Sequence, residues 1–348
     1  MKKIGFWGAR ADNIGLGTQT WEFCRHINPC KIMIADLTAE SGRKSYPERF
    51  PKHAESFQMA ADEPLIRKFL TGLDIVVCAE TPYNNDLFRI AREMDVKSIL
   101  TFNYEFLDYY DQPDLPMPDV LLAHSPWHFQ KVLKDFKDKC EVVYLPVPVN
   151  RDVIARRKIK HAKTFVHIAG QSLYQDRNGT KIFLEALKYI RTDLKVKIYT
   201  QHPLTLEDMT EAVKYKAEVI PVDIDNYWDL YTKGDVLVMP RRYGGLCLPL
   251  NECMAAGMIP IMPAVEPQME FLHDKMLTPV VRRTAIAARS PEIYAYDVDP
   301  QTLAYHMDLL HELNHGAIED LSDYSDAYAQ VIAWETLKPV YMDFLEKI

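Results

Sequence analysis

The chain has 348 residues, 48% hydrophobic and 26% charged, with a formal net charge of −8 at pH 7. That length exceeds a usual single core and predicts two globular domains. No apolar run approaches the ~20 residues of a membrane span, no signal peptide precedes Lys2-Lys3-Ile4, and the acidic balance argues against non-specific nucleic-acid binding. A cytoplasmic location is the expectation. The six cysteines form no CxxC pair and sit mostly in apolar contexts, so they read as reduced core thiols, not a disulfide frame or zinc site.

Along the chain, short apolar runs alternate with helical patterns in the manner of parallel βαβ units. Residues 3–7, 31–36, 74–78, 98–102, 120–123 and 142–145 read as strands of a first sheet, with helices such as 65–70, 85–94 and 127–136 between them. Directly after the first strand comes Gly8-Ala-Arg-Ala-Asp-Asn-Ile-Gly-Leu-Gly-Thr-Gln-Thr-Trp. It carries glycines but not GxGxxG, although Asp36 ends the second strand where a dinucleotide-binding enzyme places its ribose acid. The missing fingerprint counts against a nicotinamide enzyme. A phosphate or sugar loop, or a loose β–α turn, fits this polar stretch.

Glu80 and Glu105 follow two further strand ends, where a carboxylate can grip hydroxyls or act as a base. Capping acids fit the same places. His124 and His128 flank Ser125-Pro126-Trp127 and have no Asp, Glu or Cys at metal spacing, so they read as packing or capping residues.

A break follows at Pro146-Val-Pro148-Val-Asn-Arg151 and the basic run Arg156-Arg-Lys-Ile-Lys160, the composition of a connector. A second alternation places strands near 164–168, 196–199, 218–220, 236–239 and 259–262. After its first strand, Arg177 and Lys181 can neutralise a diphosphate or stand as surface charges, with Arg177 beside Asn178-Gly179 at an expected helix start. The segment GDVLVMPRRYGGLCLPLNECMAAGMIPIMP, residues 234–263, is the most informative. It predicts a buried strand, a turn with Arg241, Arg242, Gly244 and Gly245, a helix over 249–256 that contains Glu252, and another buried strand. Such a turn brings backbone and helix N-terminus to an anion at the C-terminal end of a sheet. A plain connection with Glu252 as a cap is the alternative. Residues 324–348 read as one long amphipathic helix with Trp334, Leu337, Tyr341 and Phe344 at helical spacing.

The 234–263 segment resembles the donor-site signature of GT-B glycosyltransferases, specifically the retaining class called family four, whose usual form is E-G-F-G-L-P-x-x-E-A-M-A-x-G-x-P-V-I. Leu248-Pro249, Glu252, Met254-Ala255, Gly257 and Pro260 fall in step with it. The family's second glutamate, which holds the nucleotide ribose, falls on Glu252; its first falls on Gly244, so that acid is absent. Gly170 matches the family's V-G-R…K-G stretch, with Gln171 replacing its arginine and Arg177 standing at its lysine. Gly15-Leu16-Gly17 matches the N-terminal glycine loop. The combination of RADNIGLGTQTWEF, FVHIAG…DRNGT and PRRYGGLCLP looks most like bacteriophage-encoded members.

The resemblance implies an α/β, GT-B architecture: two Rossmann-like parallel-sheet domains facing a central cleft. Residues 1–152 would be the acceptor side, 153–323 the nucleotide-sugar side, and 324–348 a helix crossing back. It implies metal-independent, retaining transfer of a hexose or similar sugar to a hydroxyl, the nucleotide-sugar being a substrate and no cofactor being needed. Arg177, Arg241, Glu80 and Glu105 are the catalytic candidates. Gly15, Gly17, Gly170, Arg177, Lys181, Arg241, Arg242, Gly244, Gly245, Leu246 and Glu252 are the donor-binding candidates. Hydroxymethylated pyrimidines of phage DNA, protein Ser/Thr and glycans stand as acceptors. A non-catalytic sugar-nucleotide-binding module is the rival that Gly244 supports.

Overall fold

Strand β1 (Ile4–Ala9) is buried along its whole length, as is β4 (Ile75–Ala79) beside it. Strands covered on both faces read as unbroken apolar runs, and this is the mark of a parallel sheet inside an α/β layer structure. The computed structural model describes residues 2–37, 44–58, 61–110, 115–170, 176–221, 226–286 and 293–348. The chain divides into two units, Met1–Pro148 with Trp334–Ile348, and Val149–Ala333.

The first unit adds β2 (Lys31–Asp36), β3 (Glu55–Gln58), β5 (Lys97–Phe102), β6 (Val120–Ala123) and β7 (Glu141–Tyr144). The sheet order is β3-β2-β1-β4-β5-β6-β7, with every pairing parallel. Its helices are α1 (Gly15–Ile27), α2 (Glu63–Leu70), α3 (Asp86–Glu93) and α4 (Phe129–Phe136). The start of α2 is set by Asp62, whose carboxylate accepts from the Leu65 N–H at 3.0 Å, with Pro64 in the first turn. Trp7 lies at the centre of the core, stacked on Phe57 at 5.2 Å and edge-on to Phe69 at 5.1 Å, its indole N–H donating to Pro82 O. Strand β3 escapes a reading by periodicity because only Phe57 of its four residues is buried.

In the second unit, β8 (Thr164–Gly170), β9 (Lys195–Thr200), β10 (Glu218–Pro221), β11 (Val236–Val238), β12 (Ile259–Pro263) and β13 (Leu277–Thr278) form a second parallel sheet. Its order is β10-β9-β8-β11-β12-β13. A two-stranded antiparallel ladder, β14 (Val280–Ala285) with β15 (Tyr294–Val298), follows. The helices are α5 (Thr180–Ala186), α6 (Leu206–Lys214), α7 (Leu248–Ala255), α8 (Pro300–Glu312) and α9 (His315–Val331).

One expectation is corrected here. The single helix over 324–348 is two: α9 ends at Val331 and α10 (Trp334–Lys347) begins three residues later. Between them the Val149 N–H takes the Ile332 carbonyl at 2.8 Å and Ala333 bridges Val149 in β fashion, which interrupts the helical ladder. Apolar spacing continues on both sides of that step, so periodicity alone runs through it. Trp334 then stacks on His26 of α1 at 4.5 Å, within the first unit. The basic run lies outside helix and strand with Arg156, Lys158 and Lys160 exposed, and its charges pair along α9. Arg151 and Arg156 pair with Asp326 and Asp323 at 2.6 and 2.5 Å, and Lys158 and Lys160 reach Glu319, all three acids lying on α9.

No described helix is long and apolar enough to cross a membrane. All six cysteines are free thiols; Cys24, Cys78, Cys247 and Cys253 are buried, Cys140 is half-buried and Cys30 is exposed.

Candidate functional site

In each sheet the strand order reverses once, between β1 and β4 and between β8 and β11. Chains leaving the C-terminal ends of strands at such a point diverge to opposite faces, opening a crevice where α/β proteins bind ligands. In the second unit the segments leaving β8 and β11 carry Gly170, Arg177, Arg241, Arg242 and Gly244.

Arg177 and Arg241 converge on Gly244. A Cβ built on Gly244 would overlap Arg177 Nη2 and lie 2.8 Å from Arg241 Nη2. The φ of +101° at this residue is itself one that L side chains rarely adopt. Arg241 is buried to 9% exposure, its Nη2 donating to Leu246 O at 2.8 Å and its Nη1 to Asn178 Oδ1 at 3.4 Å. Asn178 in turn donates to the Ile168 and Ala169 carbonyls at the end of β8. Arg177 Cζ lies 5.3 Å from the Tyr243 ring centroid, a cation–π contact, and the Arg177 carbonyl accepts from the Arg242 N–H at 2.8 Å. The two loops are therefore one structure. Gly170 has φ +59°, and a Cβ there would lie 3.4 Å from Asn178 Nδ2.

The remaining donor-site candidates separate into groups. Arg242 donates through Nε to Asp297 Oδ1 at 2.6 Å, and Arg282 holds the other oxygen of the same carboxylate. Burial pushes the Asp297 carboxyl up, but the hydrogen bonds from Arg242 and Arg282 outweigh it and leave the pKa below the ordinary value. Asp297 is thus a single carboxylate shared by two guanidinium groups, those of Arg242 and Arg282. Lys181 is exposed near the start of α5. That start is already served by Asp176, whose carboxylate accepts from Thr180 and Lys181 N–H groups at 2.7 and 3.2 Å. Burial raises the Asp176 pKa despite these donors.

Helix α7 begins differently. Its N-cap, Cys247, makes no side-chain cap hydrogen bond, Pro249 sits in the first turn, and no acid lies there. Gly245, like Gly244, is buried in the turn that feeds it. Glu252 lies one turn in, 7% exposed, accepting the Tyr231 hydroxyl on Oε2 at 2.5 Å. Burial, then the Glu252 charge, pushes the Tyr231 phenol well above its ordinary pKa, so it stays a donor.

In the first unit, Gly15 opens α1 and Gly17 packs so closely on the Asp12 carbonyl that any Cβ would overlap it. Arg10 lies beside them, its Nη2 on Asp12 Oδ2 at 2.6 Å and its Nη1 3.4 Å from Tyr83 Oη. Glu80 follows β4 at φ +58°, and its carboxylate accepts from Asn103 Nδ2. Glu105 is 4% exposed, which removes the reading of a solvent-exposed capping acid. His124 is buried, Nδ1 on Leu145 O at 3.0 Å, and burial lowers its pKa to about 4, so it packs as a neutral ring. Among the described residues no group of three or more His, Cys, Asp or Glu is placed to hold a metal ion.

Sequence reading missed Tyr231, Asn178, Asp297 and the Arg10–Asp12–Tyr83 cluster. Only Asn178 carried a local signal, the Asn-Gly step. The others depend on distant partners: Tyr231 meets Glu252 21 residues away, Asp297 meets Arg242 55 residues away, and Arg10 meets Tyr83 73 residues away.

Residues 162–295 match the family model for glycosyl transferases group 1. No curated protein matches the chain in sequence. Among solved structures, Anabaena HepE in complex with UDP and glucose superposes with a TM-score of 0.73 at 11% identity, over 100% of both chains. Sucrose-phosphate synthase from Thermosynechococcus elongatus gives 0.71 at 12% identity, over 100% of this chain and 99% of that one. A glycosyltransferase from Rickettsia africae gives 0.70 at 12% identity, over 99% and 98%. At such identities these likenesses are of fold, and the family match supplies the activity. Residues 162–295 match a glycosyltransferase group 1 domain, and the chain is a glycosyltransferase with two parallel-sheet α/β domains of the GT-B kind.

Proposed function

We propose that this glycosyltransferase moves a sugar from a nucleoside diphosphate to a hydroxyl, with retention and without a metal ion. The observation that carries this reading is the convergence of Arg177 and Arg241 on Gly244 ahead of the uncapped α7. Two guanidinium groups match the geometry of diphosphate oxygens. A leaving diphosphate accumulates negative charge as the glycosidic bond breaks, and preorganised cations and helix N–H groups stabilise that charge without reorganising. Glu252, one turn into α7, is the ribose acceptor in this reading, while Glu80 and Glu105 orient the acceptor hydroxyl. A UDP-sugar is the first donor to try, since the HepE structures hold UDP, UDP-glucose, or UDP with glucose.

For the acceptor, the phage-type motifs keep hydroxymethylated pyrimidines in DNA in view. The pairing of Arg151, Arg156, Lys158 and Lys160 with α9 carboxylates offsets part of the charge of the run that would follow a phosphate backbone. That favours a protein Ser/Thr or glycan hydroxyl. The test is a screen of UDP-, GDP- and ADP-sugars with EDTA present, offering hydroxymethylcytosine DNA and co-expressed phage structural proteins, read by mass spectrometry. Sugar addition to the proteins with retained anomeric configuration is expected. Addition to the DNA alone would overturn the acceptor preference, and donor binding without transfer or hydrolysis would favour an idle binding module.

A further inference from the structure

Strand β8 buries Phe165, Val166, Ile168 and Ala169, and among them stands one polar ring, His167, with 0% exposure. Burying an imidazole costs desolvation that an aliphatic side chain avoids, so its partners say what it does. The Val238 carbonyl, 2.8 Å from Nδ1, can only accept, which puts the ring proton on Nδ1. Nε2 is then an acceptor and takes the Thr180 hydroxyl at 2.9 Å. Val238 ends β11 and Thr180 opens α5, so one ring joins the two strands at the reversal of sheet order to the start of that helix. Thr180, 3% exposed, also closes the loop that carries Arg177. In that loop the Asp176 carboxylate accepts from the Thr180 N–H, and Asn178 donates to the Ile168 and Ala169 carbonyls. Gly179, at φ +72°, packs so tightly on the Pro240 carbonyl that a Cβ would overlap it.

We propose that His167 is a positioning residue for sugar transfer, acting through the Thr180 hydroxyl to set where the Arg177 guanidinium stands beside Gly244. This rests on the donor-site reading above, in which Arg177 meets the leaving diphosphate. A cation lowers the barrier to the extent that it is already in place when the charge develops. A long side chain is only as well placed as the backbone it leaves, and that backbone needs support from residues behind it. Here the support is short, since Arg177 lies three residues before Thr180 and its carbonyl accepts from the Arg242 N–H at 2.8 Å. Burial keeps the imidazole in the neutral form that can accept from the hydroxyl. If His167 only filled the core, its loss would lower stability and slow every variant of the site alike.

The experiment is single-turnover release of nucleoside diphosphate from UDP-, GDP- and ADP-glucose, with donor affinity measured beside the rate and thermal melts reporting the fold. His167→Asn keeps an amide donor for the Val238 carbonyl and removes the acceptor of Thr180. Thr180→Val cuts the same link from the other side with little change of volume, and decides the matter if His167→Asn does not fold. Each is expected to slow release about tenfold, a part of the 10²–10³ typical of losing such a contact outright, with donor affinity within about threefold of wild type. Thr180→Ser, which keeps the hydroxyl, should stay within about threefold in rate. In an Arg177→Ala background Thr180→Val should add less than about twofold, because the group it positions is gone. A wild-type rate in a folded Thr180→Val, or equal slowing in both backgrounds, overturns the positioning role. A wild-type rate in Arg177→Ala, or no release from any of the three donors by wild type, overturns the donor-site reading, and this role with it.

Discussion

The guanidinium of Arg177 occupies the space that a side chain at Gly244 would fill. The residue has no Cβ to give way, and its φ of +101° holds the turn in a conformation that favours glycine. The resemblance puts an acid at this position, and here two arginines close over it instead. Gly244→Ala should therefore cost about 1–3 kcal/mol in the stability of the second unit through backbone strain and overlap. It should also weaken nucleoside diphosphate binding by displacing Arg177. Guanidinium denaturation with a parallel titration of UDP checks both effects, and a variant as stable and as tight as wild type would refute the packing account.

Asp297 offers a pH-dependent test. Its carboxyl is favoured in the charged form by Arg242 and Arg282, which overcome the effect of burial and hold its pKa below the ordinary 3.8. A depressed folded-state pKa stabilises above the unfolded value and loses that contribution as pH falls through the folded one. Urea midpoints measured from pH 5 to pH 3 should fall less steeply in Asp297→Asn than in wild type, from a lower starting value.

His167 makes the complementary case. It is fully buried between Val238 O at 2.8 Å and Thr180 Oγ1 at 2.9 Å, stacked on Phe183, and burial lowers its pKa from 6.5 to about 4. Here the unfolded chain takes up the proton first, so stability is intact above pH 6.5 and declines as pH falls toward 4. The full span is on the order of 3 kcal/mol. Replacing the ring by His167→Asn should lower stability at pH 7 and flatten the slope of the second unit's transition between pH 6.5 and 4.5. An unchanged slope would show that the imidazole is not held neutral.

Asp326 links the basic run to α9, with its side chain 6% exposed and salt bridges to both Arg151 and Arg156. Removing it in Asp326→Ala leaves Arg151, 21% exposed, without that carboxylate. The expected loss is about 2–4 kcal/mol, measured by thermal or urea unfolding. A change below about 0.5 kcal/mol would contradict a stabilising role for this pairing.

The two parallel sheets were legible because their central strands are short, unbroken apolar runs, as in β1, β4, β11 and β12. Chemistry that depends on glycine was legible too, since the residues around Gly244 and Gly170 carry it in order along the chain. What sequence alone left hidden depends on long-range partners. Arg242 meets Asp297 from β15 and the run 156–160 meets acids on α9, and no local pattern announces either partner. The break at Ile332–Ala333 is set by Val149, which no helical period can reveal.

The most direct measurement of the central claim is release of nucleoside diphosphate from UDP-, GDP- and ADP-sugars by wild type, Arg177→Ala and Arg241→Ala under single-turnover conditions. Loss of one preorganised contact to a developing charge typically costs about 10²–10³ in rate. Wild type should consume one of these donors, and each arginine variant should be slower by that order while retaining its fold. Wild-type rates in both variants would contradict the assignment of Arg177 and Arg241 to the leaving diphosphate.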